Sequence, residues 1–207
     1  MDMRLPPEAT GPSAWTRVEM EQDQSWVFQL SDEDLDELEK ATTALYHRGV
    51  SPLEFRQKDF PLPSLGPKIS SLLHEIEYGR GFVLMRGLNV ADYALDKLSV
   101  LYWGLGTYLG QTISQNSQGD LLGHVKDMEG GKYTQGGYYE EGVRGHRTNA
   151  LLAPHTDSAD LVGLMCVRPA KKGGESWIAS SMSVYNRIRV TRPELLEPLL
   201  NLSLIHI

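Results

Sequence analysis

The sequence predicts a mixed α/β (α+β) fold on three observations. Two amphipathic helical stripes stand in its first half, glycine becomes frequent beyond residue 110, and short apolar runs bounded by turn residues follow. Strands that come after helices, rather than alternating with them, imply a β core with helices packed outside. A length of 207 residues suits one domain with chain enough to bury a core. Residues 1–30 read as an extended lead-in anchored by Trp15 and Trp26, and residues 31–207 as the domain.

The elements are expected in this order. Ser31 opens a helix as its capping hydroxyl. The acid run Asp32-Glu33-Asp34 sits at the positive end of the helix dipole, and Leu35, Leu38, Ala41, Thr42 and Leu45 follow at helical spacing up to Gly49. We read that acid run as a solvated face. After a proline-punctuated stretch, Ile69, Leu72, Leu73 and Ile76 form a second stripe ending near Gly79. Gly81-Phe-Val-Leu-Met-Arg-Gly-Leu88 is short, apolar and glycine-bounded, the mark of a buried strand. A third helix covers Tyr93 to Leu109, where Tyr102 and Trp103 are core residues by default. Strands are expected at 121–126, 149–157, 161–168 and 176–180. Helix resumes over Ser183 to Val190 and Thr191 to Leu200, the latter opened by Thr191-Arg-Pro-Glu194 as a capping box.

Composition narrows the function classes. Apolar residues at 41% and charged residues at 23% describe an ordinary globular chain. A net charge of −7 supplies no field that would draw nucleic acid or anionic lipid, so neither is an expected partner. The longest apolar runs are too short to span a bilayer, and Met-Asp-Met-Arg-Leu-Pro-Pro lacks the apolar core of a signal peptide, which makes a cytoplasmic address the default. The single cysteine, Cys166, lies in an apolar run and is expected to be a buried small hydrophobe. Oligomeric state is not legible.

Chemistry points to Pro154-His155-Thr156-Asp157. Residues i and i+2 of a strand share a face, so an imidazole and a carboxylate stand side by side. One nitrogen and one oxygen donor make two-thirds of the 2-His-1-carboxylate triad that holds non-heme iron(II) with open positions. An ordinary polar pair at a strand end is the bland alternative. His124 and His146 read as structural hydrogen-bonders. Gly130-Gly131 and Gly136-Gly137 flank Tyr133, Tyr138 and Tyr139 in a stretch that is either a flap or a surface loop. A zinc hydrolase built on the same pair lacks an HExxH helix or paired cysteines to complete it.

Several motifs raise the pair above coincidence. They are Gly81-Phe-Val-Leu-Met-Arg-Gly87, Leu122-Gly-His-Val-Lys126, Gly142-Val-Arg-Gly145, Thr148-Asn-Ala-Leu-Leu-Ala-Pro-His-Thr-Asp-Ser-Ala-Asp160 and Gly173-Gly-Glu-Ser176. From about residue 12 to residue 200 the chain thereby resembles the TauD/TfdA-like (clavaminate synthase-like) oxygenases. The resemblance implies a double-stranded β-helix, or jelly roll, with flanking helices. It also implies iron(II), 2-oxoglutarate as cosubstrate, O2, and oxidation of a small organic molecule. On it, His155 and Asp157 match the first two iron ligands, and a retained Asp157 favours hydroxylation over halogenation. Ser176 falls where a hydroxyl helps hold 2-oxoglutarate, or else satisfies its own turn. Asn149 faces substrate or caps a strand.

The family pattern further requires a late His and, beyond it, an Arg that grips the distal carboxylate of 2-oxoglutarate with its planar fork. Neither is matched here, since His206 is the only later histidine and no Arg follows it. The expectation is therefore a domain incomplete at its C-terminal end and weakly active or inactive. The alternative is a non-catalytic remnant that acts as a binding or interaction protein.

Overall fold

The computed structural model describes residues 6–115, 119–127 and 151–200. Its elements are α1 (Arg17–Gln22), β1 (Val27–Gln29), α2 (Asp32–Tyr46), α3 (Leu65–Tyr78), β2 (Leu84–Arg86), α4 (Leu95–Gly106), α5 (Ser181–Thr191) and α6 (Leu196–Leu200). Ser31 caps α2 as its sequence implies: its hydroxyl accepts from Asp34 N–H at 3.3 Å, while the Asp34 carboxylate accepts from Ser31 N–H at 3.0 Å. The helical spacing then turns Leu38, Ala41 and Leu45 inward against Val100, Leu101 and Leu105 of α4. Leu65 and Ile69 of α3, with Phe55, Phe60 and Leu62 from the connecting segment, complete this core.

The tightest fit is between Phe60 and Gly104. Phe60 is fully buried, stacked on Phe55 at 5.9 Å, and its ring atoms lie 2.5 Å from where a Cβ on Gly104 would stand. Glycine is needed in α4 because the ring fills that volume. Tyr108 holds the same segment, donating to the Phe60 carbonyl at 2.8 Å and accepting from Leu62 N–H at 2.9 Å.

Of the acid run expected to be a solvated face, Asp32 and Glu33 are exposed but Asp34 is not. Asp34 is 1% exposed, and Lys68 of α3 donates to it at 2.7 Å. Glu37 accepts from the N–H groups of Ser64 and Leu65 at 2.9 and 2.8 Å, so a carboxylate of α2 satisfies the open start of α3. Glu39 accepts from Lys97 of α4 at 2.5 Å and from Thr43 at 2.8 Å. Burial and the nearby Glu39 carboxylate push the Tyr93 phenol up to about 12. A run of acids reads as solvated only when nothing packs over it, and here α3 and α4 do.

The lead-in is not wholly extended. It contains α1, capped by a Thr16–Glu19 box, and β1. Trp15 and Trp26 are the anchors expected, both meeting Phe82, at 5.1 and 5.6 Å. The strand expected over 81–88 contracts to β2, which pairs parallel with β1 in the register Val27↔Leu84, Phe28↔Met85, Gln29↔Arg86. A parallel pair needs a long crossover, which α2 and α3 supply.

The remaining expectations for the second half change more. The described residues of 121–126, 149–157, 161–168 and 176–180 form neither helix nor strand, so the described residues build no jelly roll and β1–β2 is their one sheet. A strand exists through ladder hydrogen bonds to a neighbour, whereas an apolar run reports only a tendency to be covered. Leu151 (85%), Leu164 (75%) and Trp177 (84%) are instead exposed. Cys166 is likewise exposed rather than buried. The capping box expected at Thr191 does not form. Thr191 ends α5 and donates back to Arg187 at 2.7 Å, while Glu194 pairs with Arg192. Among the described residues no helix is long and apolar enough to cross a membrane.

Two outcomes test this packing. Gly104→Ala gains about 1 kcal/mol of helix propensity but overpacks a ring with no room to retreat, for a net loss of about 1–2 kcal/mol in urea unfolding. The second concerns Asp34. Burial alone would raise its carboxyl, but the bonds from Lys68 and Ser31 hold it below the ordinary value. Its folded-state pKa is therefore depressed, so its contribution is complete above the unfolded value of about 4 and is lost as pH falls through the folded one. Asp34→Asn should cost about 2 kcal/mol at neutral pH, and the gap from the parent should narrow as pH falls below the unfolded value of about 4.

Candidate metal centre

Ala153 precedes Pro154, and the proline ring biases it toward extended backbone. Its carbonyl lies 2.8 Å from His155 Nδ1. A carbonyl can only accept, so Nδ1 carries a proton, and Nε2 is the nitrogen left for a metal. That Nε2 stands 4.0 Å from Asp157 Oδ1. Both side chains are more than half exposed, at 56% and 57%, and are open to an ion from solvent. The expected juxtaposition therefore exists without the strand invoked for it.

The donor set suits iron(II) in kind. It offers one imidazole nitrogen, one carboxylate oxygen, and a second partner on the imidazole that fixes its tautomer, the arrangement usual behind a metal-bound His. Among the described residues no group of three or more His, Cys, Asp or Glu gathers in metal-holding geometry. Among the described residues the pair therefore stands as two donors.

Ser176 follows Gly173 and Gly174, whose φ values of +72° and +80° lie in the left-handed region that favours glycine, just after bends at Lys171 and Lys172. Its side chain is exposed, and no hydrogen bond links it to His155 or Asp157. Asn149, His146, His206 and the stretch carrying Tyr133, Tyr138 and Tyr139 lie outside the described residues. His124 is exposed.

Two residues that tie this region to the helical body carry no chemical signature in the sequence. Met165 packs against the core of α2 and α4. Tyr102 of α4 places its hydroxyl 3.0 Å from where a Cβ on Gly163 would stand, and burial raises its phenol above the ordinary value. The Ala153 carbonyl was also unanticipated; the X-Pro-His order was the available clue.

Loss of a residue one bond removed from a metal costs about 10- to 100-fold in affinity, so removing a donor should cost at least that. Anaerobic calorimetry with iron(II) should accordingly find binding to His155→Ala or Asp157→Ala weaker by at least about tenfold than to the parent chain.

The chain was compared with known proteins. The family model described as "Taurine catabolism dioxygenase TauD, TfdA family" matches residues 28–204. "FR-33289 synthase" of Streptomyces rubellomurinus (strain ATCC 31215) is 29% identical over 187 residues, covering 90% of this chain and 54% of that protein. "Taurine hydroxylase-like protein SAT17" of Stachybotrys chartarum (strain CBS 109288 / IBT 7711) is 30% identical over 188 residues, covering 90% and 49%. The chain spans about half the length of the curated relatives it matches. With the matched region containing the imidazole and carboxylate pair and covering most of its length, this chain belongs to the TauD/TfdA dioxygenase family.

Proposed function

We propose that this chain carries part of the active site of a non-heme iron(II)- and 2-oxoglutarate-dependent oxygenase that hydroxylates or otherwise oxidises a small organic molecule. The observation that carries the reading is the placement of His155 Nε2 4.0 Å from Asp157 Oδ1, with Nδ1 tied to a carbonyl, inside the family-matched region. Iron(II) held there supplies activation of O2 coupled to decarboxylation of 2-oxoglutarate.

The residues of the chain do the rest. His155 contributes Nε2, the Ala153 carbonyl keeps the ring from rotating and retains the Nδ1 proton, and Asp157 contributes a carboxylate oxygen. Retention of that carboxylate, in a position a halide would otherwise need, favours hydroxylase-type chemistry. Ser176, presented by the Gly173-Gly174 turn, is the proposed hydroxyl donor to 2-oxoglutarate, and Asn149 the proposed substrate contact. A double-stranded β-helix would use 121–126, 149–157, 161–168 and 176–180 as strands. The exposed Leu151, Leu164, Trp177 and Ile178 are side chains such a sheet would bury. Oxidation of a small molecule is also in keeping with the hydroxylase and synthase names of the two relatives.

A second reading, a binding protein that keeps the fold without turnover, is favoured by one observation: no third donor joins the pair among the described residues. Anaerobic titration with iron(II) and 2-oxoglutarate separates the two. The oxygenase reading expects the weak visible charge-transfer absorption of chelated iron. Ser176→Ala should then need about fivefold more 2-oxoglutarate to reach half its amplitude, the worth of one hydrogen bond. Tight binding of 2-oxoglutarate without any iron-dependent absorption would instead establish the binding protein.

A further inference from the structure

The side chains of α5 grip the chain's own beginning. Arg189 Nε donates to the Pro6 carbonyl at 3.0 Å, and the Tyr185 hydroxyl donates to the carbonyls of Pro6 and Pro7 at 3.0 and 3.2 Å. Asn186 makes a reciprocal pair with Ala9, accepting its N–H and donating to its carbonyl, both at 2.8 Å. Ser180 donates to the Ser13 carbonyl at 2.5 Å and Ser183 to the Trp15 carbonyl at 2.6 Å. The segment therefore runs antiparallel along the helix. Every group it offers is backbone, so α5 reads the path of the chain and not its side chains.

Ordinary packing does not explain how α5 is held. None of its residues is buried, and Val184 and Val190 are exposed. Ser180 serves twice, capping α5 through Ser183 N–H at 2.9 Å and reaching across to Ser13. The other end of the tie is Trp15, whose indole donates to the Arg80 carbonyl at 2.8 Å and meets Phe82 edge-on. Trp15 thus presents its ring to the helical body and its carbonyl to α5. Pro6, Pro7 and Pro12 suit the task, since each fixes φ and removes an N–H that would otherwise need a partner.

We propose that residues 6–15 are a strap that positions α5, and with it the downstream anchor of the segment carrying His155 and Asp157, against the body built by α2, α3 and α4. When the strap lifts, α5 and the residues before it are freed while the body stays folded. The inference stands on the α5 hydrogen bonds and does not depend on which metal or cosubstrate the pair takes.

The test is amide hydrogen exchange on the full chain, comparing α5 with α2 and α4. The variant S183A/Y185F/N186A removes strap bonds while replacing Ser and Asn by the better helix former Ala, so a helix standing on its own propensity would gain protection. The strap predicts that α5 amides exchange at least about tenfold faster, as the loss of several hydrogen bonds requires, while α2 and α4 are unchanged. Trp15→Ala, which leaves every α5 residue in place, should have the same selective effect. Unchanged or slower exchange in α5 in the triple variant would overturn the proposal, as would loss of protection in α5 and the body together in both variants.

Discussion

Phe60 occupying the notch left by Gly104 is the contact on which the placement of the helices depends. With the ring seated there, α4 comes close enough for Leu101 and Leu105 to meet Leu38 and Leu45 of α2, and the connecting segment is drawn inward between Phe55 and Leu62. Polar ties of α2 to α3 and α4 accompany this packing. Asp34 reaches Lys68, Glu37 satisfies the first amides of α3, and Glu39 meets Lys97. Because α2 and α3 form the crossover between β1 and β2, the same packing fixes the parallel strand pair at the end of the body.

The His155–Asp157 pair belongs to a different regime. It lies in an exposed segment that touches the body through Met165 and through Tyr102 at Gly163, and that leads into a helix with no buried residue. Its geometry is local, coming from the Ala153 carbonyl on the His155 ring and not from a sheet. Such a site can present its donors correctly before the surrounding structure excludes water. Leu151, Leu164 and Trp177 of the same segment are exposed, an apolar surface that a covering partner would bury.

The sequence is most legible where periodicity and capping agree. Ser31, Leu38 and Leu45 announce α2, and Ile69 with Gly79 brackets α3, because a helix's hydrogen bonds are internal and its pattern is complete within the segment. The strands fail for the converse reason. Leu161 to Val167 is as apolar as a strand should be, yet strand formation depends on a partner that a local run does not encode. The buried role of Asp34 and the crossing of Glu37 to α3 are tertiary facts that look like surface charge in one dimension. The His155–Asp157 juxtaposition survives this loss because two residues so near in sequence need no sheet partner to bring their side chains together.

The central claim, that the chain holds His155 ready for a metal with Nε2 facing Asp157, is tested most directly by nitrogen-resolved NMR of the histidine rings in the metal-free chain, repeated with iron(II). The account predicts a proton on Nδ1 of His155, and paramagnetic broadening that begins at residues 155–157 when iron is added. A ring protonated at Nε2 alone, or broadening that spares His155 and Asp157, would contradict it.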